Sequence, residues 1–82
     1  MKVELKPRAE KDLRSLPRVE ARKIAEKLKV LGSSLSGDVK RLTNFTPEYR
    51  LRVGNYRVLF EVEGSSIIVY RIMHRQKAYS KR

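Results

Sequence analysis

Eighty-two residues give one domain, residues 1–82, and twenty Lys and Arg against nine Asp and Glu leave it at net +11. With no cysteine and a single histidine, His74, the composition excludes disulfides, thiolate zinc, a cysteine nucleophile and a multi-histidine metal site. No apolar run approaches the ~20 residues of a membrane span, and "MKVELKPR" has no apolar signal core, so the chain reads as cytoplasmic.

The first element is a half-buried strand over 2–6, "KVELK", with Val3 and Leu5 on one side. Pro7 suits the first turn of a helix, and Ala9, Leu13 and Leu16 form that helix's apolar stripe. Pro17 ends it and starts a second helix. There Ala21, Ile24, Ala25, Leu28 and Leu31 recur at spacings of three and four, opposite a basic face, and Gly32 fits the C-terminus. A loop over 33–38 and a short strand over 39–43 follow. A second loop covers 44–48, with Pro47 barring a helix. Two hairpin strands around Gly54-Asn55 come next, then a strand over 66–73 rich in β-branched residues and a basic tail over 74–82. The order is taken as β-α-α-β-β-β, which counts four of these five strand segments. It predicts an α+β fold: a four-stranded, antiparallel-rich sheet with two helices on one face.

The hairpin defines two faces. A two-residue Gly54-Asn55 turn pairs Val53 with Tyr56, Arg52 with Arg57, Leu51 with Val58 and Arg50 with Leu59. Side chains alternate along a strand, so Tyr49, Leu51, Val53, Tyr56, Val58 and Phe60 meet the helices. Arg50, Arg52 and Arg57 look outward. A three-residue loop, Gly64-Ser65-Ser66, then sets Phe60 opposite Tyr70 and Val58 opposite Ile72. It sends Ile68, Tyr70 and Ile72 to the core and keeps Arg71 off the core side, where an unpaired charge is costly. Arg75 and Tyr79 follow near the edge of the arginine face. Taken singly, Arg71 is an ordinary surface residue. Arg52 facing Arg57, with no acid on the same strand segments, points to an anion site, because like charges paired across a sheet cost stability and arginine's fork suits phosphate oxygens.

The charge is uneven in the same sense. Residues 49–82 carry eight basic side chains and only Glu61 and Glu63. A domain this small and this basic fits a nucleic-acid partner better than a merely solubilising surface.

"YRLRVGNYRVLFEVEG" followed by "VYRIMHRQKAYS" resembles the RelE branch of the RelE/ParE toxin superfamily. The R-x-R, G-x-Y-R and H-R-x-x-x-Y elements carry the likeness, which covers nearly the whole chain. The resemblance implies the toxin of a type II toxin–antitoxin system. It would be a ribosome-dependent endoribonuclease, free of metal and cofactor, that cuts mRNA in the ribosomal A site. It also implies roles. Arg57 matches the arginine that stabilises the transition-state phosphate. Arg75 matches the one that assists the leaving group, and Tyr79 the tyrosine that stacks on or orients the substrate. Arg50 and Arg52 match two basic positions at which some relatives carry lysine. Arginine stays protonated, so these two act electrostatically rather than as a base. His74, whose unperturbed pKa lies near neutrality, is a second-tier proton carrier, although alternation turns it toward the core side. Arg71, Lys77, Lys81 and Arg82 complete the expected RNA-binding set. The implied partners are an acidic RelB-like antitoxin, the 70S ribosome and A-site mRNA, with operator DNA reached only through the antitoxin complex and no membrane. Two other readings stand beside this one: a ParE-like gyrase-inhibiting toxin, against which Arg57, Arg75 and Tyr79 argue, and a non-catalytic RNA- or ribosome-binding module.

Overall fold

The computed structural model describes residues 1–34, 39–42 and 46–78. The elements are β1 (Lys2–Leu5), α1 (Pro7–Arg14), α2 (Arg18–Ser34), β2 (Val39–Arg41), β3 (Tyr49–Val53), β4 (Tyr56–Glu63) and β5 (Ser66–His74). They build a two-layer α+β fold with sheet order β1-β5-β4-β3-β2. β1 runs parallel to β5 and every other pair is antiparallel. The sheet therefore has five strands, not four. The short β2 is a full edge strand, with Val39 opposite Leu51 and Lys40 opposite Arg50. It is shorter than the expected 39–43, and Thr43 lies outside the described residues.

Local signals account for the helices. Pro7 occupies the start of α1, where its missing N–H is not needed. The Pro17 carbonyl accepts the Ala21 N–H at 2.9 Å and so opens α2. Ile24, Leu28 and Leu31, on one stripe of α2, are buried with Ala9 of α1 against Leu51, Val58, Phe60, Ile67, Val69 and Ile72 of the sheet. Tyr49 stacks on Phe60 at 5.4 Å on the same face.

Gly32 does not end its helix. α2 runs on to Ser34, and Gly32 is buried inside it. A Cβ there would stand 2.9 Å from Val3 Cγ2 and 3.0 Å from the Met1 carbonyl. The Met1 ammonium also donates to the Gly32 carbonyl. The glycine permits close approach of helix and β1. Gly32→Ala is therefore expected to destabilise the fold by about 1–2 kcal/mol from overpacking, outweighing the gain in helix propensity. A denaturant midpoint equal to or above wild type would refute that packing role.

The β3–β4 register is as the alternation predicts, from Val53–Tyr56 through Arg50–Leu59. The β4–β5 connection is not. Gly64 (φ +60°) and Ser65 make a two-residue turn, so Glu63 pairs with Ser66 and Phe60 with Val69. A β-bulge between Leu59 and Phe60 then absorbs Tyr70. Beyond it Leu59 faces Arg71 and Val58 faces Ile72, as in the odd-loop register. The even turn does not drive Arg71 into the core, because the bulge supplies the odd residue. The consequence is a different core set. Ile67, Val69 and Ile72 face the helices, whereas Ile68 pairs with Glu61 on the other face and Tyr70 also leaves the core.

Candidate active site on the open face of the sheet

The face opposite the helix-covered core carries the hairpin arginines in two rows, and Arg52 also borders a groove with Glu20, Lys23, Glu26 and Lys27 of α2. Lys40, Arg50, Leu59 and Arg71 lie in line across β2, β3, β4 and β5. Arg52, Arg57 and Met73 form the next row toward the Gly54-Asn55 turn. Two like charges on paired positions repel, and the structure shows how the pair is held. Arg57 Nη1 donates to the carbonyls of Gly54 and Tyr56, each at 3.0 Å. The guanidinium is thus drawn onto the turn and oriented by it. Gly54, at φ +58°, supplies the left-handed backbone this turn requires. Arg57 and Arg50 are half-buried and Arg52 is exposed.

The end of β5 meets the same turn. The Arg75 N–H donates to the Asn55 carbonyl at 2.7 Å, which sets exposed Arg75 at the end of the sheet that holds Arg52 and Arg57. Lys77 follows in the turn after β5, its N–H on the His74 carbonyl at 2.9 Å. Tyr79, Lys81 and Arg82 lie outside the described residues. His74 does not join the arginines. It pairs with Tyr56, and their rings meet edge-on at 5.7 Å, while its Nδ1 accepts the Gln76 N–H at 3.2 Å.

Arg71 is tied to α1. β1 stops at Leu5, its pairing with β5 ending at Val69. Beyond that point Asp12 takes over the strand edge. Its carboxylate accepts the Ile72 N–H at 2.9 Å, Arg71 Nε at 2.8 Å and Arg71 Nη2 at 3.3 Å. The hydrogen bond to Asp12, ahead of desolvation that opposes it, holds the Arg71 pKa above the usual arginine value. A raised basic pKa contributes stability that is complete below the unfolded value and is lost only as pH climbs through the folded one. The arginine side of this pair is therefore constant across the neutral range. Asp12→Ala leaves an N–H and a guanidinium without their acceptor and is expected to cost about 1–3 kcal/mol. Thermal unfolding checks it, and an unchanged midpoint would contradict the clamp.

Besides Ile68, sequence alternation missed two contributors to this face. Lys40 arrives through the short β2, and Tyr70 through the bulge. Lys40 could have been found from the alternation of "VKR" once β2 was paired with β3. Tyr70 sits in an unbroken apolar run and gives no periodic signal. The face is also less bare than the pattern implies, since Leu59, Pro47 and Ala78 are buried on it. A second groove, between α1, α2 and β1, is lined mainly by Met1, Val3, Leu5, Leu13 and Leu28 and presents little that could do chemistry. Among the described residues no group of three His, Asp or Glu stands close enough to hold a metal ion.

The chain matches the family model of the ParE toxin of type II toxin–antitoxin systems, parDE, over residues 3–79. Toxin RelE3 of Methanocaldococcus jannaschii is 43% identical over 47 residues, 57% of this chain and 53% of that protein, about half its length. A RelE1-named relative from the same organism is 34% identical over 83 residues, covering 94% of this chain and 92% of that one. Among solved structures, the RelB–RelE antitoxin–toxin complex from Methanococcus jannaschii superposes with a TM-score of 0.77 at 30% identity, over 93% of this chain and 94% of that one. The chain belongs to the RelE/ParE toxin superfamily, in its RelE branch: it is a RelE-like toxin of a toxin–antitoxin system.

Proposed function

We propose that this toxin is a ribosome-dependent endoribonuclease that cuts mRNA in the ribosomal A site without a metal or cofactor. The observation that carries the proposal is the gathering of Arg50, Arg52 and Arg57 on one face of the β3–β4 hairpin, with Arg75 delivered to its end. In the reaction an RNA 2′-oxygen attacks the adjacent phosphorus and gives up its proton. The new O–P bond closes a cyclic phosphate, and the bond to the 5′-oxygen breaks as that oxygen gains a proton. The charge that develops is on the phosphorane, so fixed cations on that face lower the barrier directly.

Arg57, oriented by the turn carbonyls, stabilises the phosphorane. Arg75 assists the leaving oxygen, and Tyr79 stacks on or orients the substrate. Arg50 and Arg52 favour the attacking oxygen electrostatically, without serving as a base. Lys77, Lys81 and Arg82 add to RNA attraction, whereas Arg71 is engaged by Asp12. His74, whose ring meets that of Tyr56 edge-on, is held as a second-tier proton carrier. An acidic RelB-like antitoxin would neutralise the toxin in the cytoplasm, and operator DNA would be reached only through that complex. The solved relatives from Methanococcus jannaschii and Pyrococcus horikoshii OT3 are RelB–RelE complexes, which supports such a partner.

The test is to incubate the protein with programmed ribosomes and map mRNA ends by primer extension. Codon-phased cleavage supports the nuclease. The ParE family match keeps one competitor in play: uncut mRNA together with inhibited gyrase supercoiling would favour it. Ribosome binding with neither effect would leave a non-catalytic binding module.

A further inference from the structure

We propose that the groove beside the arginines is a nucleotide subsite: a base of single-stranded RNA seats against Tyr70 while Lys6 and Arg8 hold its phosphate. The proposal rests on the RNA-cleaving reading and adds a site to it. The groove measures about 530 Å³ and is bounded by Lys6, Pro7 and Arg8, by Thr46-Pro47, by Leu59 of β4, and by Tyr70, Arg71 and Met73 of β5 with Ala78 beyond.

Its position comes first. Leu59 is the strand partner of Arg50, and Met73 is the partner of Arg57. The groove therefore opens onto the cations assigned to the scissile phosphate, and a strand leaving those cations toward β5 crosses it. Its chemistry follows the same logic. The floor is apolar, with Leu59 and Ala78 each 2% exposed. One aromatic ring stands over it, and Lys6 Nζ lies 5.5 Å from the centre of that ring. Among the described residues that line the groove, none is acidic. Arg71 contributes its stem, since Asp12 holds its guanidinium.

The bulge is the third observation. A regular β5 in the odd-loop register would bury Tyr70 in the core. The bulge turns it onto the open face and gives up a ladder position to do so. Bulges of this kind re-aim side chains beside active sites. An aromatic ring beside cations that track a backbone is the combination by which proteins hold single-stranded nucleic acid, with stacking tolerant of base identity. An acidic amphipathic peptide would also meet cations and an apolar floor. The continuity of the groove with the Arg50 and Arg57 rows favours the nucleotide.

The experiment uses a short single-stranded RNA with 2′-deoxyribose at the cleaved position, and the same RNA made abasic at each position in turn. Affinity is read by fluorescence anisotropy. The wild-type protein is expected to lose roughly tenfold to a hundredfold in affinity when one base flanking the cleaved position is removed. Tyr70→Ala should lose a similar factor on the intact RNA and become indifferent to that abasic position, and Tyr70→Phe should restore the wild-type pattern. An equal affinity of the wild type for all abasic RNAs would overturn the proposal, and that measurement needs no variant to fold. Equal RNA binding by wild type and Tyr70→Ala, with weakened binding of an acidic amphipathic peptide, would overturn it in favour of a protein partner. The ribosome cleavage assay is scored separately. Cleavage with no abasic penalty sinks the subsite alone, and an abasic penalty with no cleavage sinks the nuclease alone.

Discussion

Replacing Arg57 with alanine is expected to lower the single-turnover rate of mRNA cleavage on programmed ribosomes at least a hundredfold, with ribosome binding retained. The magnitude is that of removing one fixed donor from a developing oxyanion, roughly 10²–10³ in rate. Folding should be nearly untouched, because the Arg57 side chain is half-buried on the open face and its hydrogen bonds go to two carbonyls of an exposed turn. Arg57→Lys should recover little. Lysine keeps the charge but cannot span the turn carbonyls and a phosphate with one planar fork. A wild-type cleavage rate in Arg57→Ala would remove the residue from the mechanism.

Phe60→Ala should do the opposite. Phe60 is fully buried on the helix-facing side, stacked on Tyr49 and packed among residues of α2, β3 and β5. Truncating such a side chain costs about 3–5 kcal/mol, a large share of the roughly 5–15 kcal/mol that holds a domain together. The denaturant midpoint should fall steeply. At temperatures where the variant stays folded, its cleavage rate should remain within a few-fold of wild type, since Phe60 has no part on the arginine face. A loss below about 1 kcal/mol would mean that the two faces of the sheet have been assigned the wrong way round. Together the two substitutions separate the face that folds the protein from the face that acts.

The hairpin was readable because its two strands alternate cleanly about a Gly-Asn turn. One register satisfied both the apolar and the charged positions. The next strand was not readable to the same depth. Ile67, Ile68, Val69 and Tyr70 are four apolar residues in a row, so periodicity is silent on which pair faces inward. An odd loop, or an even loop plus one bulged residue, both place Val58 opposite Ile72 and Arg71 beside Leu59. Only the second matches the structure, and it moves Tyr70 from the core to the groove. Gly32 reads as a helix end and Asp12 is passed over for a different reason. Their meaning lies in contacts with Met1 and Val3, and with Arg71 and Ile72, far away along the chain. A glycine near a helix end reads locally as a cap, and an acid on a basic helix reads as solvated. The roles of Arg57, Arg75 and Tyr79 came from the family resemblance rather than from pattern. For Arg57 and Arg75 the geometry supplies a common location, the turn end of the open face.

The most direct measurement is the chemistry of the cut ends. mRNA fragments produced by the wild-type protein on programmed ribosomes should carry a 2′,3′-cyclic phosphate on the upstream piece and a free 5′-hydroxyl on the downstream one. Those are the products of 2′-oxygen attack assisted by fixed cations. A 3′-hydroxyl with a 5′-phosphate, or mRNA left whole, would contradict a face built to stabilise that phosphorane.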